Sequence, residues 1–302
     1  MKIILNFFFQ KKFIKFKIYR NFINNIYQLI KYDKDYFFKP EKKILNLHLN
    51  NLYKHKVEKR DKMEVITSEL LVNFDSTIDN NFKDFFNVDI SKMVSVIGSR
   101  FNSNEDPLCK TAMQIIINNN IDFKLCFLNT YFQNFKPKNY SEVFKIKDST
   151  ELNKINKYSY FYPWFHEYPP RVLHNGLFGP KNFETVEFRC TRIKNIYNLI
   201  KKYNYIPDKI DCIEGYVLSY EKDYRFVVTS GTHRSSVLSA MNKLENFPHK
   251  VPVRFDNMRV ENKIFLIKLS DVDNWPAVSS GYLKKEEAIT FFKSFFKDKK
   301  YL

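Results

Sequence analysis

The chain has little of what would mark a metal site, a disulfide framework or a membrane span. It holds only four cysteines, Cys109, Cys126, Cys190 and Cys212, scattered over a hundred residues. No Cys-x-x-Cys pair and no Cys/His cluster has zinc-ligand spacing, so the thiols are expected to be free and buried in a reducing cytoplasm. No apolar run is long enough to cross a bilayer. The opening Met1–Gln10 is apolar but short, Lys11 and Lys12 follow it directly, and no small-residue cleavage site appears, which argues against a secretory signal. Glycine is scarce, with six in 302 residues. Acidic residues are outnumbered, leaving a net charge of +17. That excess is uneven. Residues 1–62 hold 16 Lys/Arg against 5 Asp/Glu, and the remaining 240 hold 34 against 28. A uniform nucleic-acid-binding surface is therefore not expected.

What is present is an apolar fraction of 44%, enough for a globular core. Phe, Tyr, Ile, Asn and Lys are abundant everywhere, as an AT-rich coding sequence would produce, so composition is a weak guide to function. The informative stretch is Tyr224–Met241. Phe226, Val227, Val228 and Thr229 predict a strand. Ser230-Gly231 breaks it, and Val237, Leu238 and Met241 then recur at helical spacing. Gly231 falls where the backbone turns sharply and where a ligand can approach. Thr232 to Ser236 would supply the free amides of the first helical turn, which attract anions. His233, Arg234, Ser235 and Ser236 crowd further donors there, and an arginine can grip phosphate oxygens in a fork. The stretch reads as a phosphate pocket.

Three regions are expected. Residues 1–62 form a basic, aromatic arm and linker, with an amphipathic helix over Phe13–Ile30 and a short strand at Ile44–Leu49. That helix either binds an anionic membrane surface or nucleic acid, or packs on the body with its lysines solvated. Residues 63–183 read as a mainly helical region. Strand-like runs occur at Val65–Thr67, Leu70–Phe74 and Met93–Gly98. A helix opens at Asp106-Pro107, a second covers Leu125–Phe135, and a third starts at Ser141. Its loop-rich end carries Trp164, His166 and His174, which line a pocket or plug a joint. Residues 184–302 are the organised module. Glu184–Cys190 is strand-like or a helix approach, and Arg192–Tyr203 is a helix. Gly215–Tyr220 and Arg225–Thr229 form a hairpin, the turn and its helix follow, and Val251–Phe255 and Ile264–Leu269 are strands. Asp271–Tyr282 is expected as a loop that packs on the turn or folds over it, and Lys284–Lys293 as a closing helix.

This order of helix, hairpin, Gly-Thr-His-Arg turn, helix and Val-Pro-Val strand resembles the ParB/sulfiredoxin superfamily over about residues 184–256. The resemblance implies an α+β fold, a small mixed sheet with helices, preceded by a mainly helical N-terminal region. It also implies phosphate binding by Gly231, Thr232, His233, Arg234, Ser235 and Ser236. The ligand would be a nucleoside di- or triphosphate with Mg²⁺, the metal held mainly by phosphates and water. His233 and Arg234 would neutralise charge developing during phosphoryl transfer.

Two departures narrow the chemistry. Sulfiredoxins carry a nucleophilic cysteine where this chain has Thr232, so a sulfinic-acid reductase is excluded. Serine-kinase relatives carry an aspartate where this chain has Ser230. A catalytic acid would have to come from Glu184, Glu187 or Glu214, with Glu187 the choice here. The expectation is a nucleotide-binding phosphotransferase or switch in the cytoplasm, at most peripheral to a membrane. The alternatives are a non-catalytic scaffold and a polyanion binder acting through residues 1–62.

Overall fold

A computed structural model describes residues 85–101, 105–147, 149–165, 171–172, 177–205, 207, 212–256 and 265–301. The expected arm over residues 1–62, the strands at 65–67 and 70–74, and His166 and His174 lie outside these residues.

The described chain opens with β1 (Phe86–Asp89) and β2 (Met93–Ser95), joined by a 3-10 turn that Asp89 caps. Helix α1 (Pro107–Ile117) starts where the sequence predicts. The Asp106 carboxylate accepts from the Cys109 amide at 2.9 Å, and Pro107 supplies a first-turn residue that needs no partner. Leu108, Cys109, Ala112 and Ile115 form its buried face. Two shorter helices follow, α2 (Phe127–Asn134) and α3 (Tyr140–Val143), then a two-strand ribbon of β3 (Ser159–Tyr160) and β4 (Arg171–Val172).

Helix α4 (Phe183–Tyr203) is longer than the sequence suggests. Residues 184–190 are its first two turns and not a strand. Asn182 caps it by accepting from the Thr185 amide, and Val186, Cys190, Ile193, Tyr197 and Ile200 continue one buried stripe. The hairpin is β5 (Glu214–Tyr220) and β6 (Asp223–Ser230), turning at Glu221 and Lys222. Then come α5 (Thr232–Glu245), β7 (Lys250–Phe255) and β8 (Leu266–Lys268). The expected loop over 271–282 holds the end of a 3-10 segment, Leu269–Asn274, and the short helix α6 (Pro276–Ser279); α7 (Lys285–Lys293) follows.

The strands form one six-stranded mixed sheet in the order β1-β7-β5-β6-β2, with β8 also on β5. The architecture is α+β, a small mixed sheet with several helices. Strand β2 pairs parallel with β6, Met93 opposite Phe226, and β1 pairs antiparallel with β7. The sheet thus takes strands from both sides of residue 183, and a boundary there would cut through it.

Helix α5 packs on α1 and α4. Elsewhere an aromatic cluster gathers Tyr162, Trp164, Phe165, Trp275, Phe291, Phe292 and Phe295. Phe165 meets Tyr216 of β5 edge-on, which ties the cluster to the sheet. Trp164 is therefore core. Trp275 packs on Trp164 and Phe292, and Tyr282 on Phe161.

Candidate anion site

Strand β6 ends at exposed Ser230, Gly231 follows at φ +85°, and Thr232 opens α5. The left-handed backbone alone favours glycine. Packing adds a second demand. A Cβ at position 231 would sit 3.0 Å from the Ile213 Cα and 3.1 Å from the Cys212 carbonyl oxygen. The sequence reading left that space for a ligand; the chain's own lead-in to β5 fills it.

Gly231 offers no side chain to cap α5. The Ser235 amide closes the first turn on the Gly231 carbonyl at 2.9 Å. The amides of Thr232 and His233 have no hydrogen-bond acceptor among the described residues. A fourteen-residue helix therefore begins with its positive end uncapped, the condition under which an anion is stabilised.

The predicted side chains divide into two sets. Thr232, His233 and Arg234 are half-buried at the mouth of the helix. Arg234 donates through Nη1 to the Cys212 carbonyl at 3.1 Å. The Nε2 of His233 is buried and has no hydrogen-bond partner among the described residues. Burial, reinforced by the positive charges of Arg192 and Arg189, pushes the His233 pKa down to about 3. At neutral pH the imidazole is uncharged, so it does not bring the positive charge expected of it. It offers one buried polar nitrogen instead.

Ser235 and Ser236 form the second set. Both are buried, and both hydroxyls are engaged by the fold. Ser235 donates to the Gly231 carbonyl at 3.2 Å, and Ser236 to the Thr232 carbonyl at 2.9 Å. Ser236 also lies 3.3 Å from the Asp106 carboxylate. These two serines anchor the first turn from behind and drop out of the phosphate set.

Asp106 is the acid that sequence reasoning missed. It caps α1, accepts from Ser99 at 3.2 Å, and faces Ser236 across 130 residues of chain. Burial pushes its pKa up to about 6, opposed by hydrogen bonds from Cys109, Ser99 and Ser236. The acids proposed from sequence are placed otherwise. Glu184 and Glu187 are exposed on α4, and Glu184 accepts from Asn182. Glu214 accepts from both Nε and Nη2 of Arg254, so its carboxylate is held in an ion pair. Asp256, at the same end of the sheet as the turn, accepts from the Thr229 hydroxyl at 2.9 Å. Nothing local signals it; only the parallel register of β5 and β7 brings it there. Among the described residues no three His, Cys, Asp or Glu side chains cluster to hold a metal ion.

No protein-family model matches this chain, and neither curated proteins nor solved structures give a match. No helix among the described residues is long and apolar enough to cross a membrane.

Proposed function

We propose that the turn at Gly231–Arg234 binds phosphate and that the chain is a nucleotide-binding protein of ParB/sulfiredoxin type. The observation that carries this reading is the uncapped start of α5, whose first two amides, those of Thr232 and His233, have no hydrogen-bond acceptor among the described residues. Arg234 supplies charge beside them. The ligand class is a nucleoside di- or triphosphate. Its Mg²⁺ would ride on phosphate oxygens and water, which suits a turn that offers amides, a neutral imidazole and an arginine but no carboxylate.

The residues favour a nucleotide-dependent switch over phosphoryl transfer. Ser230 provides no carboxylate before the glycine, and Glu214 is held by Arg254. Glu187 is exposed on α4 and His233 is neutral. A group that moves protons at the reacting centre needs reach and a matched pKa.

Calorimetry with a panel of nucleoside di- and triphosphates, each with Mg²⁺, tests the reading. One of them is expected to bind the wild type, with Arg234→Ala weakening it at least tenfold while circular dichroism stays unchanged. A ligand at one hundred times its Kd should add about 2.7 kcal/mol of stability. No binding by any member of the panel overturns the reading and leaves the fold as an assembly scaffold. The second partner class, an anionic membrane or nucleic acid bound through residues 1–62, predicts a different pattern. Its affinity would fall steeply with salt and be insensitive to Arg234→Ala.

A further inference from the structure

The segment that follows α7 closes over the loop after β2, residues 97–101, which turns at Gly98 with φ +75°. Beyond the 3-10 turn Ser294–Phe296 its side chains alternate: Asp298 and Lys300 are exposed, Lys299 and Tyr301 buried. Arg100 clasps the near end, donating to the Phe296 carbonyl at 3.0 Å and pairing with Asp298 at 2.6 Å. Lys299 is 3% exposed. Its Nζ donates to the Ile97 carbonyl at 2.7 Å, and a Cβ on Gly98 would lie 2.6 Å from it. The same nitrogen stands 5.2 Å from the centre of the Phe295 ring and 5.3 Å from that of Phe144. No carboxylate forms an ion pair with it among the described residues; Glu105 accepts instead from the Lys299 backbone amide at 2.8 Å. The Tyr301 hydroxyl reaches the Ile97 carbonyl at 3.4 Å, and its ring meets Phe135 and Tyr131 edge-on.

A buried ammonium with a single hydrogen-bond acceptor is costly, whereas a neutral amine in the same place is satisfied. We propose that residues 299–301 are a proton-operated latch, closed on the loop while the Lys299 amine is neutral and released when that amine takes up a proton from solvent. The two ring faces favour the charged form, and so does Glu105 at the start of α1, but burial outweighs them and lowers the Lys299 pKa from 10.5 to about 7. The closed latch thus holds the proton more weakly than the open one. Closure is fully favoured above pH 10.5 and is lost as pH falls through 7. The other groups around the latch do not reproduce this. Burial raises the Tyr301 and Tyr131 pKa values, so both phenols keep their protons. Asp106 faces the loop from the far side through Ser99 and, with a pKa of about 6, has largely lost its proton by pH 7. Lys145, over the Tyr301 ring, is exposed.

Amide hydrogen exchange on the full chain, corrected for the intrinsic rate at each pH, tests the latch. Between pH 9 and pH 7 the protection of residues 299–301 is expected to fall about tenfold or more. At both pH values it should stay below that of the β5–β6 hairpin, because the latch opens without the sheet. Lys299→Met should remove the fall, with circular dichroism confirming that the variant is folded. Equal protection of residues 299–301 at pH 9 and pH 7 in the wild type overturns the inference, whether or not the variant folds. Protection that matches the hairpin also overturns it, since the segment would then open only with the whole fold. So does a folded Lys299→Met chain that keeps the wild-type fall.

Discussion

Arg234 Nη1 donates to the carbonyl oxygen of Cys212 at 3.1 Å, binding the first turn of α5 to the segment that enters β5. The same segment fills the space beside Gly231. The turn is thus held from the side by residues 212–213 and from behind by Asp106 and the two serines. Its amide-bearing end has no such support among the described residues. Preorganised donors with an open end are what anion binding requires.

Gly231→Ala should destabilise the fold. The substitution meets a left-handed backbone and a Cα at 3.0 Å, so a loss of roughly 1–3 kcal/mol is expected from strain. Urea unfolding measures it. Unchanged stability would show that the turn relaxes freely.

Asp106 should leave a signature in the pH dependence of stability. Its folded pKa is raised from 3.8 to about 6, so the native state holds the proton more tightly than the unfolded chain. Its contribution is fully present below pH 3.8 and is lost as pH rises through about 6. By linkage the loss is on the order of 3 kcal/mol. Unfolding of wild type and Asp106→Asn at pH 4 and pH 7 checks this. The variant should be less sensitive to pH across that interval. An identical pH profile in both would contradict the assigned burial.

Lys299 gives the opposite sign. Its side chain is buried against Gly98, and its Nζ donates to the Ile97 carbonyl at 2.7 Å. Burial lowers its pKa from 10.5 to about 7, partly offset by Glu105. Protons then bind the unfolded chain more tightly, so this group's contribution is present above pH 10.5 and lost as pH falls through 7. Lys299→Met should flatten the rise in stability between pH 7 and pH 9. A slope equal to that of the wild type would show that Lys299 is solvated.

All four cysteines are free and buried. Burial pushes the Cys109 thiol up to about 12. None is expected to react promptly with a thiol reagent in the native protein, and all four should react in guanidinium. A fast native reaction would place a thiol at the surface.

The hairpin, the turn, α5 and β7 were legible because each has a local signature. These are period-two β-branched residues in the strands, a glycine at the break and helical spacing after it. Helix α1 was legible through Asp106-Pro107. The start of α4 was not, because Thr185-Val-Glu-Phe-Arg alternates as a strand does. Its cap at Asn182 and the spacing of Val186 and Cys190 were the available signals. The parallel pairing of β2 with β6 joins residues more than 130 apart, and no local pattern encodes such a partner. The same distance hid Asp106 behind Ser236. Ser235 and Ser236 were misplaced because sequence shows the hydroxyl but not the face of the helix that carries it.

The central claim concerns two backbone amides, and amide NMR observes them directly. Titrating the isotope-labelled chain with inorganic pyrophosphate, at fixed ionic strength against a chloride control, should move the Thr232 and His233 resonances downfield in a saturable way. Chloride should leave them in place. Saturation of shifts elsewhere in the chain, with these two amides unmoved, would contradict the account.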